Sequence, residues 1–229
     1  MKHIASVSFG KDSLAMLLRL IEEKKTLDEV VFYDTGMEFA AIYKIRDKII
    51  LLLKKSGIKY TELKPQEGFE YKMFKRPVNG KNGLHYGYSW CGGRCRWGTT
   101  EKLKVLDKYC KDSIQYVGIA LDEPKRLDRA KVLGKLTPLA DWRMTEKDCL
   151  DYCHNRGYFW LEDDVELYDI LDRVSCWCCA NKNLKELKKY YKHLPTYWAL
   201  LKIFQSKTDR PFKKCGTVFD LEKRFESEE

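Results

Sequence analysis

The chain has 229 residues, 44% hydrophobic and 34% charged, with 14 Gly and 6 Pro, which excludes a disordered or collagen-like polypeptide and allows a real core. The longest aliphatic run, Ile49 to Leu53, falls far short of the roughly 20 apolar residues that span a bilayer, so no membrane association is expected. Lys plus Arg number 43 against 34 Asp plus Glu, and the balance of +9 suits either a polyanionic partner such as a nucleotide or RNA, or a solvated basic surface. Met1-Lys2-His3 runs straight into an apolar strand with no room for a signal segment, so the expected compartment is the cytoplasm. Nine cysteines in a reducing compartment point to metal binding, catalysis or burial rather than disulfides.

In chain order, Ile4 to Val7 reads as a strand, and Leu14, Leu17, Leu18 and Ile21 fall on one face of a following helix. Glu29 to Tyr33 is a second strand, Ala40 to Ser56 a long helix and Ile58 to Leu63 a third strand. Strands alternating with helices predict an α/β fold with a doubly wound parallel sheet. From Pro65 to Gly98 the periodicity stops, and residues 65–98 read as a cysteine-containing functional insertion without secondary structure. The pattern resumes with a helix over Thr99 to Tyr109 and a strand over Ile114 to Ile119, and Thr145 to Asp148 has the spacing of a capping box. Residues 1–167 are expected to form a nucleotide-binding domain. Residues 168–229 would form a Cys-rich, helical extension, with one helical stretch from Leu184 to Phe204 and then a polar tail.

Ser8-Phe9-Gly10-Lys11-Asp12-Ser13 sits where a strand turns into a helix, so backbone N–H groups and a helix N-terminus can face an anion. Gly10 permits the turn, Ser8 and Ser13 offer hydroxyls, and Lys11 adds a charge for phosphate. Asp12 suits Mg2+ or a helix cap, and both Lys11 and Asp12 are expected on a surface loop. Cys91-Gly-Gly-Arg-Cys95 and Cys176-Trp-Cys-Cys179 are two close pairs that can converge as four soft thiolates on Zn2+ or an iron-sulfur cluster, with Cys178 as a competing ligand. Trp90, Trp97 and Trp177 would shield such a centre, and equally suit core packing. Cys110, Cys149 and Cys153 read as packing, and the four histidines as structural or surface residues. Lys188, Lys189, Lys192, Tyr190, Tyr191, Tyr197 and Trp198 suit either a nucleic-acid backbone with stacked bases or a solvated helix with a packing stripe.

Ser8 to Ser13 resembles the pyrophosphate loop of the ATP pyrophosphatase superfamily. Asp34-Thr35-Gly36 is similar to the end of the second strand in its PAPS reductase-like branch, which contains the sulfonucleotide reductases and the sulfate adenylyltransferase small subunit. Gly118-Ile119 with Asp122, Glu123 and Arg126, and Pro138-Leu139 through Asp141-Trp142, extend the resemblance. It implies ATP bound with Mg2+, with Ser8, Phe9, Gly10, Lys11, Asp12 and Ser13 at the phosphates and Asp34, Thr35 and Gly36 near base and ribose. Gly118, Asp122, Glu123 and Arg126 would also line the nucleotide. The APS reductases of this branch hold a 4Fe-4S cluster on cysteines comparable to Cys91, Cys95, Cys176 and Cys179, although their first pair is adjacent. The branch's nucleophilic cysteine stands in a C-terminal Cys-Gly, matched here by Cys215-Gly216 beside Lys213 and Lys214.

The expected activity is adenylation of an acceptor, with Lys11 and Asp12 as the catalytic pair and pyrophosphate leaving. The sequence does not name the acceptor; RNA or another polyanion, and a sulfur donor or thiol reductant protein, are the partner classes the expectation admits. The alternatives are a thiol-dependent PAPS or APS reductase using Cys215, and a non-catalytic nucleotide- or RNA-binding module. Ala120 weighs against the reductase, because the reductases place there an arginine for the sulfonucleotide.

Overall fold

The computed structural model describes residues 1–81, 83–93 and 95–228, with backbone alone for 96–98. Strand β1 (His3–Ser6) leads to helix α1 (Lys11–Glu22), β2 (Glu29–Tyr33), α2 (Ala40–Lys55) and β3 (Lys59–Leu63). A π-helical turn (Tyr71–Lys75) precedes the hairpin of β4 (Pro77–Gly80) and β5 (Gly83–Tyr86), and a second such turn (Arg96–Glu101) runs into α3 (Lys102–Tyr109). Next come β6 (Ile114–Val117), α4 (Pro124–Val132), α5 (Pro138–Asp141) and α6 (Glu146–His154). A short hairpin, β7 (Leu161–Glu162) and β8 (Val165–Glu166), is followed by α7 (Leu167–Ile170), α8 (Leu184–His193), α9 (Pro195–Gln205) and α10 (Val218–Ser227).

The chain divides into two units, the first built from Met1–Asp34, Ala40–Lys64 and Leu103–Trp160. Its parallel sheet has the order β3-β2-β1-β6, as the alternating pattern implied. All five residues of β2 are buried, which is why Val30 to Tyr33 is a continuous apolar run rather than an alternating one. Glu29, at the strand's start, accepts hydrogen bonds from Thr61 and Tyr109 and pairs with Lys59; burial would raise its pKa, but these partners hold it below the ordinary value. Helix α1 buries Leu14, Leu17, Leu18 and Leu20 and lies against α6, and each such leucine contributes about 1.5–3 kcal/mol on burial. A core group joins Ile4, Val31 and Tyr33 of the sheet to Leu106 and Cys110. The strand order reverses at β1, with β2 on one side and β6 on the other, so the carboxyl ends of these strands open the crevice where such sheets bind ligands.

The second unit comprises Thr35–Phe39, Pro65–Lys102 and Leu161–Glu229. The region 65–98 is not devoid of secondary structure, since it carries the first π-helical turn and the β4–β5 hairpin. The stretch from Leu184 is two helices, because Pro195 has no N–H to donate and restricts Leu194, which takes φ −128° and ψ 61° between α8 and α9. The polar tail is instead helix α10: Thr217 and Asp220 form a capping box, and Val218, Leu221 and Phe225 bury one helical face. Aromatic rings fill this unit, with Trp198 against Tyr191 at 5.3 Å and Phe225 at 5.9 Å, and Trp177 against Phe204 at 4.9 Å. Among the described residues no helix is long and apolar enough to cross a membrane.

Candidate functional site

The loop after β1 is held from within. Ser13 Oγ accepts from the Ser8 amide at 3.1 Å, donates to the Gly10 carbonyl at 3.1 Å and lies 3.1 Å from Ser8 Oγ. Phe9 adopts a left-handed φ of 59°, which few residues of its bulk do, and tertiary contacts over-determine it. Its ring is fully buried 5.0 Å from that of Phe32, and its carbonyl accepts from Trp160 Nε1 at 2.8 Å. The Phe9 side chain is therefore core; only its backbone belongs to the loop's surface. Gly10 occupies the N-cap of α1 with no side chain to block the helix end. Gly118, at the end of β6, is a steric requirement: a Cβ there would stand 2.6 Å from Ser13 Cα and 2.8 Å from Ser13 N.

Lys11 and Asp12 do not lie on a surface loop, for both belong to α1, and Lys11 is only 7% exposed. Its Nζ donates to Asp12 Oδ1 at 2.9 Å and to Glu146 Oε2 at 2.7 Å. Burial works against the lysine's charge, yet the two carboxylates outweigh it and hold the pKa above 10.5. Asp12 is pushed up from 3.8, first by burial and then by Glu146 and Glu123, against the pull of Lys11. It pairs with Lys11 and does not cap α1. Asp12, Glu123 and Glu146 bring carboxylate oxygens within 4.8 Å of one another. Arg126 pairs with both oxygens of Glu123, and Asp122 Oδ1 accepts from the Glu146 amide at 3.0 Å.

Glu146 was not among the residues singled out from the sequence. The signal was present in Thr145-Glu146-Lys147-Asp148: Asp148 completes the capping box with Thr145, which leaves the Glu146 carboxylate at the first turn of α6 unused by the cap.

Asp34 closes β2, buried, and accepts from the Tyr43 hydroxyl at 2.6 Å. Thr35 and Gly36 belong to the second unit. Thr35 Oγ1 accepts from the Met37 amide at 3.2 Å and lies 3.5 Å from Cys176 Sγ, while Gly36 takes the left-handed φ of 76° that glycine allows. The segment expected near base and ribose thus also touches one of the expected metal thiols. The Trp177 amide donates to the Met37 carbonyl at 2.9 Å, which docks the Cys176–Cys179 turn on the same segment.

Three cysteine-bearing segments meet in the second unit. The Asn181 amide accepts from Gly93 N at 2.7 Å and donates to Gly93 O at 2.7 Å, tying the Cys91–Cys95 loop to the Cys176–Cys179 turn. Lys213 Nζ donates to the Ala180 carbonyl at 2.7 Å and brings in the turn that carries exposed Cys215. Burial pushes the Cys176 thiol up to about 12 and the Cys178 thiol above its ordinary range, and lowers the Lys213 pKa. Among the described residues no three thiols lie within 4.8 Å of one another. Trp90 is buried against Phe212 at 4.7 Å and donates to Gln205 at 3.1 Å; the Trp97 side chain lies outside the described residues. Cys110, Cys149 and Cys153 are buried in the first unit, and burial raises all three thiols, as packed cysteines require.

A solved structure, the U34-tRNA thiolase NcsA from Methanococcus maripaludis with its [4Fe-4S] cluster, is similar in fold, with a TM-score of 0.50 and 13% identity over 99% of this chain and 72% of that one. An uncharacterized protein of Methanocaldococcus jannaschii is 24% identical over 212 residues, a match that takes in 85% of this chain and 39% of that protein. The chain thus spans about two-fifths of that relative's length. Residues 2–179 match the family model for the phosphoadenosine phosphosulfate reductase domain. With that match across most of its length, and with a parallel sheet flanked by helices, the chain belongs to the phosphoadenosine phosphosulfate reductase domain family.

Proposed function

We propose that the protein binds ATP with Mg2+ at the carboxyl ends of β1 and β6 and cleaves it at the α-phosphate to adenylate an acceptor. One observation carries this reading: the phosphate loop's lysine is wedged between Asp12 and Glu146, with Glu123 completing a group of three carboxylates. A bare phosphosulfate would meet three negative groups at close range. A triphosphate arriving with a divalent cation presents both signs, and the donor set fits it. Asp12, Glu123 and Glu146 are the residues to hold Mg2+, which when bound supplies charge neutralisation on the departing pyrophosphate. Lys11, the first-turn amides of α1 and the Ser8 hydroxyl serve the phosphate oxygens, the Ser13 hydroxyl holds the loop through Gly10, and Asp34, Thr35 and Gly36 serve the nucleoside. An acceptor oxygen attacks the α-phosphorus, the bond to the bridging oxygen breaks, pyrophosphate leaves with the electron pair, and the acceptor's proton passes to solvent.

Cys91, Cys95, Cys176 and Cys179 lie on two loops joined through Asn181, and as soft donors their chemistry suits an iron-sulfur cluster or Zn2+. Such a centre, when bound, supplies sulfur chemistry or holds the insertion in place. The neighbour's identity as a tRNA thiolase and the chain's net charge of +9 support RNA as the acceptor class. A second reading, a thiol-dependent sulfonucleotide reductase, is favoured by exposed Cys215 on a turn that Lys213 ties to Ala180. Pyrophosphate release from ATP, Mg2+ and RNA separates the two. Release that is lost in Lys11→Ala supports adenylation. Sulfite formed from PAPS or APS with a thiol donor, and abolished by Cys215→Ser, overturns it.

A further inference from the structure

The sequence left α8 and α9 open as either a basic, aromatic face for nucleic acid or a solvated helix with a packing stripe, and the aromatics are spent on packing: Tyr190 is fully buried, and Trp198 is 2% exposed. Lys188 pairs with Glu228, and Lys189 donates to the Asp169 carbonyl. The β4–β5 hairpin has the opposite character. From Tyr71 to Thr100 the chain contains no Asp or Glu but six Lys or Arg. Lys72 is paired with Glu101 and Arg76 with Glu67, whereas exposed Lys75 and Lys81 have no ion pair among the described residues. Leu84 and Tyr86, two apart on β5 and so on one face of the ribbon, are 60% and 66% exposed.

A two-stranded ribbon exposed on both faces is marginal by itself, yet this one is built to stay put. The amides of Gly87, Tyr88 and Ser89 donate to the carbonyls of Arg76, Lys72 and Met73 at 2.7, 3.0 and 2.8 Å. Gly87 has a φ of 73°, and a Cβ there would stand 2.1 Å from the Met73 carbonyl oxygen, so the ribbon closes on the π-helical turn through a position that admits glycine alone. The hairpin is thus an anchored arm that carries an exposed ring and two exposed lysines with no ion pair among the described residues.

We propose that this arm is a docking surface for single-stranded RNA, with Lys75 and Lys81 meeting phosphates and Tyr86 stacking on a base. The absence of acidic residues favours a polyanion over an apolar peptide, and the exposed ring favours unpaired bases over a duplex whose bases are stacked within. This rests on RNA being the acceptor in the function proposed above, but it is tested by binding alone.

The test is fluorescence anisotropy of the full chain with a labelled single-stranded RNA of roughly 12 nucleotides, without ATP. Lys75→Glu with Lys81→Glu should weaken binding at least tenfold. It should also make the plot of log affinity against log salt shallower by about 1.4, from two phosphate contacts at roughly 0.7 each. Tyr86→Ala should cost about tenfold and Tyr86→Phe little, because the ring and not the hydroxyl stacks. All these side chains are exposed, so melting temperature and ATP affinity should stay at wild-type values, and absent pyrophosphate release would count against adenylation without touching this result. Unchanged RNA affinity in both the charge-reversed and the Tyr86→Ala proteins overturns the proposal. Equal preference for a duplex of the same length, or charge-reversal effects seen only on an acidic protein partner, overturns it as well.

Discussion

Replacing Gly118 by alanine tests the geometry that joins β6 to the phosphate loop. An added Cβ would stand 2.6 Å from Ser13 Cα, 2.8 Å from Ser13 N and 3.0 Å from the Asp12 carbonyl carbon. Carbon atoms pack best at about 3.5–4.0 Å, so the shortfall is roughly 1 Å. All three neighbours are backbone, and no side chain can swing aside. Either the end of β6 or the first turn of α1 must shift by about that amount, and overpacking of this kind costs about 1–3 kcal/mol. For a chain of this size 1 kcal/mol corresponds to roughly 2–4 °C, so the melting temperature should fall by about 2–12 °C. A displacement of about 1 Å at the site proposed to position phosphates costs on the order of 100-fold in function, so ATP with Mg2+ should bind far more weakly. Differential scanning fluorimetry and calorimetric titration measure the two effects. Gly68→Ala is the control, because its Cβ would meet nothing within 4 Å, and it should leave both unchanged. Gly118→Ala with wild-type melting and an ATP affinity within about twofold would refute the steric reasoning.

Lys11→Ala should lower ATP affinity at least tenfold by calorimetry, since it leaves Asp12 and Glu146 facing each other without their shared cation. The raised Lys11 pKa also has a pH consequence: its stabilisation is present below 10.5 and lost as pH rises through the folded-state value, so denaturant midpoints of wild type and Lys11→Met should converge at high alkaline pH. Serine at Cys91, Cys95, Cys176 or Cys179 should each remove one metal centre from protein purified without oxygen, while Cys149→Ser keeps it; absorbance and metal analysis decide, and metal-free wild type returns these thiols to packing. Thr145→Ala should cost about 1 kcal/mol through loss of the α6 cap, read from denaturant unfolding.

What the sequence by itself determined is whatever neighbouring residues encode. The continuous run Val30 to Tyr33 marked a strand covered on both faces, and its ends were read correctly because a parallel sheet buries such runs whole. Thr145 and Asp148 announced the start of α6 because a capping box closes within a single turn. The strand-to-helix turn at Ser8–Ser13 was legible for the same reason, since it joins two elements adjacent in the chain. Helix α10 was also legible, in the spacing of Val218, Leu221 and Phe225, but the charged residues around that stripe masked it. The contacts that make the site belong to the tertiary structure alone. Glu146 reaches Lys11 across 135 positions, Asn181 reaches Gly93 across 88, and Gly118 is glycine because the backbone of α1 passes where its Cβ would be. No periodicity carries such pairings, because packing the sheet brings the partners together only after the local elements exist. The same packing decided which aromatics are core and which are surface: Tyr190 and Trp198 were drawn inward with the helices that carry them, while Tyr86 was left outside on a ribbon too thin to bury it.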